Sequence, residues 1–150
     1  MTPQEQAEEL LAHLIPFAEK MLEENGEFFP FAGKVANDGD IYHVAGYDGE
    51  EQPPSNQIRQ LLESGLRQEA ERGECRLSVL VSNVNLVDSQ TGETEDAIHA
   101  AIEHQEGYSV DVYFPYSLVD GALEMREPKA QERTPTVFPR DSTTRHHDDA

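Results

Sequence analysis

Four side chains in one stretch of the sequence could carry chemistry if that stretch folds as a hairpin: His99, Glu103, Asp111 and Tyr113. A histidine diagonal to a carboxylate and opposite a phenol is suited to general acid–base catalysis. His99, Asp111 and Glu103 could also hold a metal ion, although their spacing matches no established ligand motif. We favour a third interpretation, a solvated sheet surface, because a flat exposed face does not exclude water from a reaction.

Three further residues have reactive or metal-binding side chains. His146 and His147 precede two aspartates near the C-terminus, but no apolar residues accompany them to build a site, so only adventitious metal binding is expected there. Cys75 is the single cysteine, which excludes an intramolecular disulfide. No base accompanies Cys75 in the sequence, and we predict a structural thiol rather than a nucleophile.

No cofactor is predicted from the sequence motifs. The chain contains no Gly-x-Gly-x-x-Gly and no Gly-x-Ser-x-Gly, which are the motifs of dinucleotide-binding loops and of nucleophile elbows. Nothing in it resembles a phosphate-binding loop. A binding or accessory role is therefore favoured over an enzymatic one.

The charge of the chain restricts its partners. Its 150 residues include 30 Asp plus Glu and 11 Lys plus Arg, a formal net charge of −19 at pH 7. Such a chain repels nucleic-acid phosphates and anionic lipids, so we expect neither a nucleic-acid nor a membrane partner. A solvated acidic surface, adaptation to high salt and mimicry of nucleic acid each explain the excess of carboxylates, and the first is the simplest. The N-terminus has no basic region before its apolar stretch, which predicts a cytoplasmic protein.

Two amphipathic helices are predicted. Thr2-Pro3-Gln4-Glu5 forms a capping box with proline at the first helical position, and Gly26 follows the end of this helix. Pro16 should kink or divide it. A second helix should begin at Ser55 and end at Gly73. The apolar stripes comprise Ala7, Leu10, Leu11, Leu14, Ile15, Ala18, Met21 and Leu22 in the first helix, and Ile58, Leu61, Leu62 and Leu66 in the second.

A first hairpin is predicted between the helices. Residues 31–36 and 41–46 flank Asp38-Gly39, a pair that favours a tight turn. A two-residue turn at this position sets Val35 opposite Tyr42.

A second hairpin joins residues 97–104 to residues 108–116. A two-residue turn would mix polar and apolar residues on both faces of this hairpin, whereas a three-residue loop at 105–107 sorts them. The sorted register pairs Ile98 with Phe114, Ala100 with Val112, Ile102 with Val110, His99 with Tyr113, Ala101 with Asp111, and Glu103 with Ser109.

Other strands are predicted around this hairpin. Residues 75–87 form a long strand in which the apolar positions change parity, and a bulge near residues 82–83 would reconcile the two halves. A further strand covers residues 122–127, and a short edge strand is expected at residues 136–138.

Two stretches, residues 26–31 and residues 96–116, resemble a pattern found in small bacterial α+β proteins to which no activity is attached. The order of helix, hairpin, helix and antiparallel strands is also similar to that of profilin-like and roadblock-type domains. Both resemblances imply a fold and no function.

The sequence thus predicts a single α+β domain over residues 1–138 and a disordered tail over residues 139–150. A helix–hairpin–helix unit is followed by three or four antiparallel strands, with both helices on one face of the sheet. The function expected is that of a non-enzymatic accessory protein, of the immunity or antitoxin kind, with a basic protein surface as its partner. A small hydrolase or metal-dependent enzyme using the His99, Asp111 and Tyr113 face is the alternative, and a homodimer is left open.

Overall fold

The computed structural model describes residues 1–45 and 55–139. In these residues two helices and a seven-stranded antiparallel sheet form an α+β fold, which confirms the predicted class. Five strands follow the second helix, rather than the three or four that were predicted. The helices are α1 (Pro3–Asn25) and α2 (Ser55–Glu71), and the strands are β1 (Phe31–Ala36), β2 (Ile41–Ala45), β3 (Cys75–Val87), β4 (Thr94–His104), β5 (Ser109–Val119), β6 (Ala122–Met125) and β7 (Lys129–Glu132).

The sheet has the strand order β2-β1-β3-β4-β5, and both β6 and β7 pair with the far side of β5. β6 pairs with residues 116–119 of β5 and β7 with residues 110–113, so the two short strands together form one interrupted edge. The sequence did not predict β7, because its four residues, Lys-Ala-Gln-Glu, are all exposed and show no apolar alternation. The edge strand predicted at residues 136–138 is wrong, since those residues form bends.

Helix α1 has the predicted start and end. The hydroxyl of Thr2 accepts a hydrogen bond from the Glu5 amide at 3.1 Å, and the Glu5 carboxylate accepts one from the Thr2 amide at 2.9 Å. Gly26 ends the helix with a φ of 75°, in the left-handed region that favours glycine. The helix continues through Pro16 and is not divided there.

The two helices lie on opposite faces of the sheet, so the prediction of one covered face is wrong. Leu77, Val79 and Val81 of β3 pack with α1, whereas Leu80 packs with α2. Successive residues of a strand point to opposite faces, which places the two helices on either side of the sheet. The sequence contains a sign of this arrangement, because a strand that is apolar at both parities is typical of a sheet covered on both faces.

The register predicted for the second hairpin is confirmed. Ile102 pairs with Val110 and Ile98 with Phe114, on the face that packs against α1. The loop has three residues, and Gly107 adopts a φ of 100° within it.

The register predicted for the first hairpin is wrong by one residue. Val35 pairs with Ile41, not with Tyr42. The amide of Ala36 donates to the Asp40 carbonyl at 2.9 Å, which closes a three-residue loop with Gly39 in the left-handed region. This register brings Val35 and Ile41 together on the α1 face, so burial of both side chains favours it.

The bulge predicted near residues 82–83 is also wrong. Pairing between β3 and β4 runs without interruption from Leu77 to Val87. Burial changes instead: β3 is buried or nearly so up to Ser82, and exposed or half-buried from Asn83 onward. The end of the β3–β4 hairpin therefore extends beyond the part of the sheet that the helices cover.

His104, at the end of β4, connects the second hairpin to α1. Its ring is buried, with Nε2 at 2.9 Å from the Gln6 side-chain oxygen and Nδ1 accepting from the Glu106 amide at 3.0 Å. Since Nδ1 accepts, the proton sits on Nε2 and the ring is neutral. Burial lowers the pKa of His104 from its ordinary value of 6.5; the Glu106 charge opposes this shift, and the nearby Arg76 supports it.

We expect His104 to make the protein less stable in mild acid. The pKa of His104 is lower in the folded state than in the unfolded state. Its contribution to the free energy of unfolding is therefore complete above pH 6.5, falls as the pH drops below 6.5, and levels off below the folded-state pKa. Replacing His104 by Asn keeps an acceptor near the Glu106 amide but does not titrate. Urea denaturation at several pH values should show a shallower loss of stability between about pH 7 and pH 5 for His104→Asn. If stability falls with pH equally steeply in the parent protein and in His104→Asn, the assignment to His104 is contradicted. The control is His13→Asn, which replaces an exposed histidine.

Candidate functional site

The polar face of the β4–β5 hairpin is divided into a covered part and an open part. It was predicted to be a solvated surface, but Glu103 is 1% exposed and Asp111 is 8% exposed. Residues 133–138, here called the strap, lie over Glu103 and Asp111. The strap follows β7 and contacts both the sheet and α2. The prediction that Asp111 and its neighbours face water is therefore wrong.

Glu103 holds the strap through its backbone. One carboxylate oxygen accepts hydrogen bonds from three consecutive amides, those of Thr136 at 3.0 Å, Val137 at 2.7 Å and Phe138 at 3.0 Å. The other oxygen accepts from Arg133 Nε at 2.9 Å. The Val137 side chain is buried with the apolar residues of α2. A single buried carboxylate thus binds all three of residues 136–138, which belong to no strand.

Arg133 supplies the positive charge of this network. Besides Glu103, its guanidinium donates to Asp111 Oδ1 at 3.0 Å and lies 3.7 Å from Glu63 of α2. Burial opposes the charged form of Arg133, but the hydrogen bonds and charges of Glu103 and Asp111 outweigh it and raise the pKa of the guanidinium. Arg133 is therefore charged and compensates the buried carboxylates.

His99 and Tyr113 complete the group of side chains that the sequence singled out. His99 Nε2 lies 2.7 Å from Asp111 Oδ1, the same oxygen that accepts from Arg133. The His99 and Tyr113 rings are stacked, with centroids 4.7 Å apart and planes at 13°. Burial and the Asp111 charge raise the pKa of Tyr113, so its phenol is protonated at neutral pH. The predicted cross-strand neighbours are brought together, in a partly buried network rather than on an open surface.

The metal interpretation has little support from this geometry. Both oxygens of Glu103 accept hydrogen bonds from the strap, and Asp111 Oδ1 is shared by two donors. In residues 1–45 and 55–139 no three His, Cys, Asp or Glu side chains are grouped so that they could hold an ion. His146, His147 and all but the first residue of the predicted disordered tail, residues 139–150, lie outside the residues that the structure describes.

The open part of the face forms a cleft of about 850 Å³, here called the distal cleft. It lies next to the end of the β3–β4 hairpin, where the helices no longer cover the sheet. Tyr113 lines it, whereas His99, Asp111 and Glu103 do not. The lining comes from residues 86–88, 93–96 and 116–118, together with Tyr113, Arg126, Lys129 and Gln131.

Sequence reasoning missed Arg133 and Thr136 as members of the network. Their partners, Glu103 and Asp111, lie at least 20 residues earlier in the chain, and no local pattern links them. The one available indication was the apolar pair Val137-Phe138 near the C-terminus, which was interpreted as an edge strand.

Cys75 is a buried residue at the start of β3, with a side chain 1% exposed. Burial raises the pKa of the thiol to about 11, and the Glu69 charge acts in the same direction. A thiol in this environment is protonated and a poor nucleophile at neutral pH.

We expect Cys75 to be unreactive in the folded protein. A rise in pKa from 9.0 to about 11 lowers the thiolate fraction about a hundredfold, and burial blocks access as well. Native protein should resist alkylation by iodoacetamide at neutral pH and react once it is unfolded in guanidinium chloride. A Cys75→Ser/Ser89→Cys variant, with its thiol in an exposed loop, is the reactive control. Equal native rates for the two proteins contradict the assignment.

Comparison with protein-family models, with curated proteins and with solved structures gives no match to this chain. The resemblance to small bacterial α+β proteins and the likeness to profilin-like and roadblock-type domains therefore stay predictions. No helix in the described part of the chain is long and apolar enough to cross a membrane.

Proposed function

We propose that this protein is a non-enzymatic accessory protein of the immunity or antitoxin kind, which binds a basic surface of a partner protein. The observation that carries the proposal is the net charge of −19. A surface of this sign attracts a basic partner at long range and disfavours anionic ones. The partner's activity is then blocked by occupation of its basic site.

The surface of α1 illustrates how the charge is distributed. Its exposed side chains include five glutamates and a single lysine, Lys20. None of these glutamates is needed for the apolar core, which α1 contacts through its opposite stripe. Glu5 belongs to the capping box, but the other four, Glu8, Glu9, Glu23 and Glu24, are available to a partner.

The proposal is tested by affinity capture from the native lysate, with the eluate identified by mass spectrometry. A basic protein that binds at about 0.15 M salt and is released as the salt rises is the expected result. The control bait is Glu8→Gln/Glu9→Gln/Glu23→Gln/Glu24→Gln, which keeps the fold and removes four charges from α1. Retention that is independent of salt, or a set of partners without basic proteins, contradicts the proposal.

Adaptation to high salt is the competing explanation of the same charge. It predicts that the melting temperature rises steadily with added salt, because screening reduces repulsion between carboxylates. A melting temperature that rises steeply up to molar salt, together with no captured partner, favours this explanation over a binding role.

A small hydrolase or metal-dependent enzyme is the second candidate. The observation that favours it is the 2.7 Å contact between His99 and Asp111, beside Tyr113 in the wall of the distal cleft. Turnover of nitrophenyl esters and phosphates, with and without divalent cations, tests it. The enzyme interpretation requires activity that His99→Ala and Tyr113→Phe both lower. If the parent protein turns over every substrate at the same rate as the His99→Ala variant, an enzymatic function on these substrate classes is excluded.

A further inference from the structure

Strand β2 forms one edge of the sheet, and its outer side is open. It pairs with β1 along one side, and no residue in 1–45 or 55–139 pairs with its other side. Its five residues, Ile-Tyr-His-Val-Ala, include no charged side chain and no proline. Their pairing with β1 runs without a shift in register. An edge of this kind is a template for a further strand.

The opposite edge of the sheet is protected against such pairing. It consists of the short strands β6 and β7, which are separated by residues 126–128, and Pro128 lies in this interruption. Glu124, Lys129 and Glu132 add charges along it. Interruption, proline and charge are features by which proteins prevent a sheet edge from pairing. Only the β2 edge lacks all three.

Alternate residues of β2 direct their backbone groups outward. The amide of Ala36 donates to the Asp40 carbonyl, so these two residues form a hydrogen-bonded pair. In an antiparallel ladder such pairs alternate with pairs that are not hydrogen-bonded. Tyr42 and Val44 therefore bond to β1, whereas the N–H and C=O groups of residues 41, 43 and 45 point away from it.

Two copies of β2 are complementary when they pair antiparallel about a two-fold axis at His43. His43 then faces His43 of the second copy, and Ile41 faces Ala45. Every outward N–H and C=O group of residues 41, 43 and 45 finds a partner in this register. A shift by two residues leaves residue 41 or residue 45 unpaired, and a shift by one sets outward groups against inward ones.

The side chains on both faces of β2 suit the same register. On the α2 face, Tyr42 is 46% exposed and would lie opposite Val44 of the second copy, and aromatic rings pair favourably with β-branched side chains across strands. On the α1 face, Phe17 is 39% exposed and contacts the exposed His43 ring edge-on, at 4.8 Å between centroids. Pairing brings the Phe17 and His43 rings of both copies to one place. Both helices pack over β1 and β3, so neither blocks the approach to β2.

We propose that this protein forms a homodimer in which β2 pairs with β2 of a second copy and joins the two sheets into one. The proposal is independent of the proposed function, which concerns the acidic surface. Five residues make a small interface, and two copies of net charge −19 repel each other. The dimer should therefore have a micromolar dissociation constant that falls as added salt screens the repulsion.

Sedimentation equilibrium from about 1 µM to about 1 mM protein tests the proposal, in about 0.15 M and about 1 M salt. His43→Lys sets two like charges opposite each other at the two-fold axis, and Val119→Lys adds the same charge at an exposed position of β5 near the opposite edge. We expect His43→Lys to dimerise at least about tenfold more weakly than the parent, and Val119→Lys to differ by less than about twofold. Both changes reduce the net negative charge, so weaker dimerisation cannot come from overall repulsion.

A mixing experiment tests the position of the two-fold axis. His43→Glu alone should also dimerise weakly, because like charges again face each other. An equimolar mixture of His43→Lys and His43→Glu should dimerise more tightly than either variant alone, since a lysine then faces a glutamate. The matched control, a mixture of Val119→Lys and Val119→Glu, should show no such gain. Melting temperatures close to that of the parent protein show that the variants are folded.

Each contrary result overturns the proposal. A parent protein that stays monomeric up to about 1 mM at both salt concentrations leaves the β2 edge to a strand of a different protein. Equal weakening by His43→Lys and Val119→Lys, or no gain on mixing the two His43 variants, places the contact between copies elsewhere. None of these results decides the proposed function, whose basic partner is released rather than retained as the salt rises.

Discussion

Replacing Glu103 by alanine is expected to lower the free energy of unfolding by about 3–5 kcal/mol, the range observed when one partner of a buried ion pair is removed. Glu103 is 1% exposed and accepts hydrogen bonds from three strap amides and from Arg133. Its removal leaves these donors without their acceptor, and the Arg133 charge loses one of its two close carboxylates. One of these donors is the amide of Val137, whose side chain is buried beside α2.

Urea denaturation of the two proteins measures this loss. The matched control is Glu106→Ala, which changes the same residue type three positions later, in the exposed turn of the same hairpin. A surface change of this kind should stay within about 0.5 kcal/mol. Hydrogen exchange of the Val137 and Phe138 amides should also accelerate in Glu103→Ala. A loss no greater than that of the control would mean that the strap is held by its apolar contacts and by its other hydrogen bonds, such as that of the Thr136 hydroxyl to Glu63, rather than by Glu103.

The second hairpin could be predicted because its two possible registers differ in what they bury. Shifting Ile102 from Val110 to Asp111 would place a carboxylate opposite an isoleucine on the α1 face, and that cost is visible in the sequence. The first hairpin offers no such contrast. Val35 can oppose Ile41 or Tyr42 without placing a charge in the core, and Asp38-Gly39 suits either loop length.

The position of α2 depends on information that its own sequence does not contain. The stripe of Ile58, Leu62 and Leu66 predicts that the helix packs on a sheet, and these three residues are indeed buried. The face is decided by the strands: Leu80 and Ala101 have the parity opposite to Val79 and Ile102. The change of parity at Val84 and Leu86 was interpreted as a bulge, but both residues lie in the end of the hairpin that the helices do not cover. Leu80, between Val79 and Val81, is the residue that indicates two covered faces.

The strap could not be predicted for a different reason. Its principal donors are backbone amides, which every residue except proline has, so the sequence of residues 136–138 carries no mark of their contact with Glu103. Glu103 itself occupies a polar position on a strand, where a solvated side chain is the usual outcome. Only the fold brings a segment from 33 positions later in the chain onto that carboxylate.

Leu14→Ala is expected to lower the free energy of unfolding by about 2–5 kcal/mol, because it removes a fully buried side chain from the contact between α1 and the sheet. Leu14 lies against Gly33 of β1, where an added Cβ would be only 2.7 Å from both Leu14 methyl carbons. Gly33→Ala alone therefore forces Leu14 aside in a close-packed core and should cost about 1–3 kcal/mol.

The two substitutions should compensate each other when they are combined. The methyl group that Gly33→Ala adds occupies part of the space that Leu14→Ala empties, so the double variant should lose less stability than the sum of the single variants, by about 0.5–3 kcal/mol. Leu22, two turns further along α1, is buried to the same degree but lies about 12 Å away along the helix axis. Gly33→Ala combined with Leu22→Ala should therefore be additive. A double-mutant cycle by urea denaturation measures both combinations, and additivity in the Leu14 cycle would show that Gly33 is not required by the close approach of α1 to the sheet.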